Sequence, residues 1–424
     1  MTRISTYLFG WIMLLVLAAC SSAEEPQPVT GYYDAYCPQL MERAVLEKSV
    51  EALTARPMHN TGKIYVRGHY LFINEKYEGI HIVDNQNPAV PRIISFLRIP
   101  GNIDMAVKGN LLYADNGPDL VTIDITNPAA VQVKGRVRDA FRELPSPEMW
   151  MAAPQCGPET RPANTVVIGW QKTKIPYTIN PSGPIWFYSN RNTLANANFN
   201  ATASAPGATG KGGSLARFAI LGQSLYTVDE QSLRLFDLAN PAAPTPGQKI
   251  PLQFGVETIY PKDHYLFLGT QRGMYIFDAA TPQSPRQVAY YQHVVSCDPV
   301  VVDDRYAYVT LRNGRSCGGG PNQLQVIDLT TLSQPRLAAT YPMMGPQGLG
   351  VDGTQLFVCD ADGLKVFDTT KAPSLTQTQS FPIKVVDVIP DAGTLMAIGA
   401  DGLYQYSYTG ATLQQLSLLP INPL

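Results

Sequence analysis

The sequence predicts an all-β fold: a β-propeller of about eight four-stranded blades, or seven if the weakest repeat is an insertion. Three observations carry this expectation. An apolar run ending in aspartate recurs along the chain, most clearly in GLKVFDTTKAP (363–373). The copies return at a spacing near 40 residues. Each copy stands among further short apolar runs separated by turn residues, giving four strands per period.

The repeat is legible residue by residue. Leu364, Val366 and Phe367 suit a pleated, buried sheet. Asp368 is placed to bond its carboxylate to backbone N–H groups just ahead, and Pro373 blocks continuation of the strand. Related phrases are GIHIVDNQNP (79–88), DLVTIDITNP (119–128), SLRLFDLANP (232–241), GMYIFDAATP (273–282) and QLQVIDLTTLSQP (323–335). Two degenerate copies, PIWFYS (184–189) and GLYQYS (402–407), end in Ser189 and Ser407. The copies end at 84, 124, 189, 237, 278, 328, 368 and 407. Four of the seven gaps are 39 to 41 residues; those of 65, 48 and 50 carry insertions. A second strand precedes each copy, from YLFIN to LMAIG, with TVVIG (165–169) in the third unit. A further strand often lies before that, and another follows the proline, as in RIISFLRI. Four strands per unit favour a closed ring over a solenoid. The third unit is poorly written, with EMWMAAPQ (148–155) as its candidate innermost strand. The ring spans 62–424. Ahead of it, 38–54 reads as helical, within an N-terminal strap (31–61) expected to cross one face.

The first residues set the expected compartment. Arg3 precedes an apolar core, Leu8 to Leu17, that is too short for a membrane span of ~20 residues. Leu17-Ala18-Ala19-Cys20 resembles a bacterial lipobox. That resemblance implies a signal peptide over 1–19, lipid on Cys20, and a flexible tether over 20–30. Ser21, in place of an inner-membrane retention aspartate, implies the outer membrane. Glu24 and Glu25 resemble the acidic stretch that directs lipoproteins to the cell surface in Bacteroidetes. Loss of Arg3 would move the formal charge from −2 to −3. No polybasic tract argues for nucleic acid.

HIVD (81–84), TIDI (122–125) and QVIDL (325–329) resemble the LVIVD repeat of bacterial surface lipoproteins, a propeller-like family common in Bacteroidetes. The resemblance implies architecture. It implies no reaction and no site residues.

Enzyme signatures are missing. There is no G-x-S-x-G elbow, no H-E-x-x-H and no P-loop. The five histidines show no metal-ligand spacing. CDADG (359–363) lacks the downstream glutamate of a calcium loop and reads as a tight turn.

Aligning the innermost strands on their turns gives one column: Lys63, Asp104, Arg217, Glu257, Asp298, Gly348 and Asp387. Charges in otherwise apolar strands must be paired, solvated or liganded. Two readings stay open. One is a self-neutralised ring around trapped water, with Lys63 between Asp104 and Asp387, and Arg217 beside Glu257. The other is a site for a polar ligand or a divalent cation such as Ca²⁺ held by Asp298, Glu257 and Asp387. No other cofactor is expected.

With Cys20 lipidated, Cys37, Cys156, Cys297, Cys317 and Cys359 remain. Cys297 and Cys317 fall on one face and form the candidate disulfide; Cys359 is the candidate free thiol. The insertions 139–163, 170–183 and 311–322 are expected on that same face, and the Ala/Asn/Gly-rich stretch 192–213 is expected to be mobile. The preferred function is a non-enzymatic binding or scaffold module on the outer membrane, engaging a protein or glycan. The alternative is a small-molecule or metal site in the central channel, hydrolytic through Asp298 and Glu257.

Overall fold

The aspartate closing each repeat fastens a turn. In six blades its Oδ1 accepts the backbone N–H two residues on: Gln86 to Asp84, Thr126 to Asp124, Ala239 to Asp237, Ala280 to Asp278, Thr330 to Asp328 and Thr370 to Asp368, at 2.8–3.1 Å. This bond reverses the chain into the outermost strand. The computed structural model describes residues 29–147, 156, 161–179, 210–296, 299–313, 319–409 and 412–422.

The blades are seven antiparallel sheets joined in chain order. Blade 1 is built on Thr61–Arg67, Tyr70–Glu75, Gly79–Asp84 and Arg92–Arg98. Blade 2 spans Met105–Lys108 to Gln132–Val137, and blade 3 spans Phe218–Leu221 to Thr245–Pro251. Blades 4 to 7 begin at Val256, Val300, Leu349 and Val385. The first strand of each blade is innermost and contacts the first strand of the next; Val385–Asp391 returns to Thr61–Arg67 and closes the ring. The apolar runs do not alternate because neighbouring blades cover both faces. The buried core therefore continues from blade to blade, as Phe267 and Ile276 of blade 4 pack with Val300 and Val309 of blade 5.

Two devices recur. Every blade has a register shift between its third and fourth strands, as between Ile82 and Val83 or Val366 and Phe367. Such bulges increase twist and turn the outer strand away from edge pairing. Tyr113 donates to the Pro241 carbonyl of the next blade at 2.9 Å, and Tyr226 repeats this toward Pro282. At the ring closure, Gln405 and Asn85 exchange amide hydrogen bonds, and Asn422 N–H donates to Met58 O at 2.8 Å.

The ring has seven blades rather than eight, the count expected if the third unit is an insertion. TVVIG, read as a strand of a third blade, belongs to Thr165–Ile179. That strand pairs antiparallel with Val29–Glu42 in a separate two-stranded ribbon. EMWMAAPQ and PIWFYS lie outside the described residues. The helical strap is also corrected. Residues 38–42 end the long strand, the helix is the single turn Arg43–Leu46, and Glu51–Leu53 adds an outer edge to blade 1. Sheet pairing along the 14 residues Val29–Glu42 outweighs a local helical pattern, since helices depend on tertiary packing for most of their stability. The turn is anchored instead by charge. Buried Asp119 pairs with Arg43 at 2.8 Å and Arg136 at 2.7 Å.

Candidate functional site

The expected channel ring does not face an open channel. After the insertion that follows blade 2, residues 210–217 cross the axis and fill it. Lys211–Gly212 add a short strand to the inner edge of Thr61–Arg67. Gly210 N–H donates to Val107 O at 3.0 Å, and Tyr65 Oη donates to Gly210 O at 2.9 Å. Lys211 Nζ donates to Pro390 O at 2.7 Å, and Ala216 O accepts Ile259 N–H at 2.9 Å. Blades 1, 2, 4 and 7 thus grip the segment before it enters blade 3. The GKGGS composition has a steric cause. A Cβ at Gly213 would lie 2.0 Å from Asp387 Oδ2. Sequence reading grouped 210–213 with an Ala/Asn/Gly-rich, mobile stretch; these four residues are instead packed, and 192–209 lie outside the described residues. A small pocket beside the plug, lined by Lys211, Ser214 and Tyr260, has about 10 Å³ of space, about one water.

The plug splits the charged column. Lys63 Nζ pairs with Asp104 Oδ2 at 2.5 Å, a contact that the self-neutralised reading contains. Burial pulls the Lys63 pKa down, with Arg217 adding to this and Asp104 opposing it. Asp387 does not join Lys63. Its Oδ1 accepts Ser214 N–H at 3.2 Å, Ser214 Oγ–H at 2.9 Å and Val388 N–H at 3.0 Å. Its Oδ2 is buried with no hydrogen-bond partner among the described residues. Burial lifts Asp387 to about 6 against the donors on Oδ1. Ser214 Oγ in turn accepts Leu349 N–H at 2.9 Å, tying the plug to blade 6. Arg217 Nε meets the Glu257 carbonyl oxygen at 3.4 Å rather than its carboxylate, which accepts Gln271 Nε2–H at 3.0 Å. Asp298 lies outside the described residues. No group of three or more His, Cys, Asp or Glu among the described residues is arranged to hold a metal ion.

Asp104 and Arg217 instead reach an off-axis cleft of about 440 Å³ between blades 2 and 3. Sequence reasoning missed it, because it forms only where the insertion leaves the ring. Its inner wall holds Asp104, Asp115 and Arg217, and its roof is the segment 141–145. Asp115 Oδ1 accepts Asn102 Nδ2–H at 2.6 Å and Ile103 N–H at 2.8 Å. Burial still raises Asp115 to about 7, with the Asp104 charge contributing. The roof is pinned. Glu143 pairs with Arg161 and accepts Val167 N–H at 2.8 Å, while Trp170 Nε1–H donates to Leu144 O at 3.2 Å. Burial pushes Glu143 up, but the Arg161 and Val167 hydrogen bonds outweigh it and hold the group below its usual value.

The candidate pairing left Cys37 and Cys156 unassigned. Cys37 is disulfide-bonded to Cys156, joining the ribbon to the insertion, with Cα atoms 5.1 Å apart. Cys297 and Cys317 lie outside the described residues. Cys359 is a buried free thiol whose pKa is raised by burial. In CDADG, Asp360 pairs with Lys365 at 2.6 Å and accepts Gly345 N–H at 2.6 Å, consistent with a tight turn. Cys20 and nearly all of the expected tether lie outside the described residues.

The chain is a seven-bladed propeller carrying LVIVD repeats. The family model described as LVIVD repeat matches residues 60–96 and 102–139, which are essentially blades 1 and 2. No curated protein matches the chain. Among solved structures, Sqt1 of Saccharomyces cerevisiae is 10% identical with a TM-score of 0.50, covering 86% of this chain and 87% of that one. A protein from Lactobacillus plantarum is 13% identical, also at 0.50, covering 86% and 97%. The periplasmic gluconolactonase PpgL of Pseudomonas aeruginosa is 11% identical at 0.50, covering 85% and 95%. Identities this low show the fold alone.

Proposed function

We propose that this protein is a non-enzymatic binding module, tethered by lipid on Cys20 to the outer membrane, that engages a protein or glycan through one face. The observation that carries the reading is the asymmetry of the propeller. Among the described residues one face has short turns, such as Gly68–His69 and the aspartate turns. The other carries the roofed cleft. The connections entering blades 4, 5 and 6 there also expose large apolar side chains: Phe254, Val294, Val295 and Met344. Exposed apolar groups set on a rigid scaffold favour recognition. The test is crosslinking on intact cells, followed by recovery of the tagged protein. A recurrent partner lost when Phe254, Val294 and Met344 are changed to serine supports the reading. Recovery of the bare protein refutes it. Labelling with a palmitate analogue tests the tether, and should vanish in Cys20→Ala.

A second reading has its own observation. With the axis plugged near Asp387, a small ligand is excluded from that level, but the cleft at Asp104 and Arg217 has room for one.

A further inference from the structure

The charges lining the cleft are not all spoken for. Asp104 is neutralised by Lys63, Glu143 by Arg161, and Asp229 by Arg234 at 3.2 Å. The guanidiniums of Arg142 in the roof and Arg217 in the wall have no carboxylate partner among the described residues, and Glu230 on the blade 3 side has no cationic one. Asp115 carries its hydrogen bonds on Oδ1, and it too lines the cleft. Two guanidiniums, one carboxylate and one carboxyl group thus share one partly desolvated space with an apolar surface. Phe141 and Phe218 supply that surface, with ring centroids 5.5 Å apart, together with Leu144. Such charges stay in water only while the cleft is empty. A ligand that displaces that water must match both signs or leave a charge uncompensated.

We propose that the cleft binds a small zwitterionic ligand with an apolar body, of the class of a free apolar α-amino acid. The carboxylate lies on Arg142 and Arg217, the ammonium faces Glu230 and Asp115, and the side chain packs under the roof against Phe141 and Leu144. Guanidinium groups suit a planar carboxylate because they present paired donors. A doubly charged phosphate is disfavoured because the Glu230 carboxylate shares the cleft with the two guanidiniums. The roof is held before binding by the Glu143–Arg161 pair and the Trp170 bond, so little ordering is left to oppose association. Nothing in this arrangement supplies a reaction, and none is proposed.

This inference rests on the small-ligand reading of the cleft and is independent of partner capture by the exposed apolar loops. The experiment compares three compounds on the purified disulfide-intact protein by titration calorimetry: L-phenylalanine, 3-phenylpropionate and 2-phenylethylamine. They share a body and differ in charge. Saturable binding of L-phenylalanine at least roughly tenfold tighter than either analogue is expected, since each lost charged contact removes a charge-assisted hydrogen bond. Arg142→Gln and Glu230→Gln should each weaken it by roughly tenfold, with unchanged circular dichroism and urea midpoint. Equal binding of an analogue overturns the proposal. So does absence of binding, or full affinity in both variants. If L-phenylalanine fails while the crosslinked partner persists, the ligand class falls and the binding-module reading stands. If it binds while no partner is found, the reverse holds.

Discussion

Asp387→Asn should stabilise this protein at neutral pH, which is unusual for a change at a hydrogen-bonded core carboxylate. The side chain is almost fully buried and keeps Oδ2 without a partner among the described residues. Its folded pKa is about 6, against an ordinary 3.8. Below 3.8 both folded and unfolded chains carry the proton, and the residue has no pH-linked effect. Between 3.8 and 6 the folded state holds the proton more tightly, so stability falls as pH rises through this window. Above 6 the loss is complete and amounts to about 3 kcal/mol, at 1.36 kcal/mol for each tenfold difference in proton affinity. Asparagine imitates the neutral carboxyl. Its carbonyl oxygen can still accept the Ser214 and Val388 donors. Urea unfolding at pH 8 should therefore show the variant more stable by a few kcal/mol, with the advantage vanishing near pH 4. The comparison must be variant against wild type at each pH, because Asp115, at about 7, adds a loss of the same sign in both proteins. A variant less stable than wild type at pH 8 would refute the reasoning. It would mean that the ionised Oδ2 is compensated by a bound water or cation.

Four further outcomes are expected. Gly213→Ala forces a Cβ to within 2.0 Å of Asp387 Oδ2; it should cost about 1–3 kcal/mol as overpacking does, with faster hydrogen exchange confined to 210–217 and its bonded neighbours. Removing the Cys37–Cys156 bridge, which closes a separation of 119 residues, should lower stability by about 2–5 kcal/mol, read as a drop in urea midpoint for Cys37→Ser together with Cys156→Ser. Asp119→Ala leaves Arg43 and Arg136 without their shared buried carboxylate and should cost about 3–5 kcal/mol. Limited proteolysis should then cut first in the N-terminal segment, and an unchanged cleavage pattern would show that Asp119 does not hold it. Asp368→Ala removes the Thr370 N–H bond at a turn and should cost only about 1 kcal/mol, measurable by thermal unfolding.

Much of the fold was written locally. The aspartate turn needs only Asp368 and the N–H of Thr370, two residues on, so any window of ten residues reveals it. Gly363 opens the same strand at φ +141°, where a Cβ would strike the Phe381 carbonyl, and that too is set within one blade. The four-strand period follows from such units in sequence. Lys63 and Asp104 were legible as partners because neighbouring blades bring equal positions together.

The sequence by itself therefore determined an all-β propeller, the strand order within each blade and the role of the closing aspartate. Tertiary structure decided the number of blades, the disulfide, the plug and the cleft. TVVIG is equally good as a blade strand or as a partner for Val29–Glu42, and only pairing across more than a hundred residues chooses between them. The GKGGS segment carries no apolar period, because its conformation is imposed by the blades around it rather than by its own side chains. Asp387 meets Ser214 and Arg142 shares a cleft with Arg217 for the same reason: ring closure brings together residues that no local pattern relates.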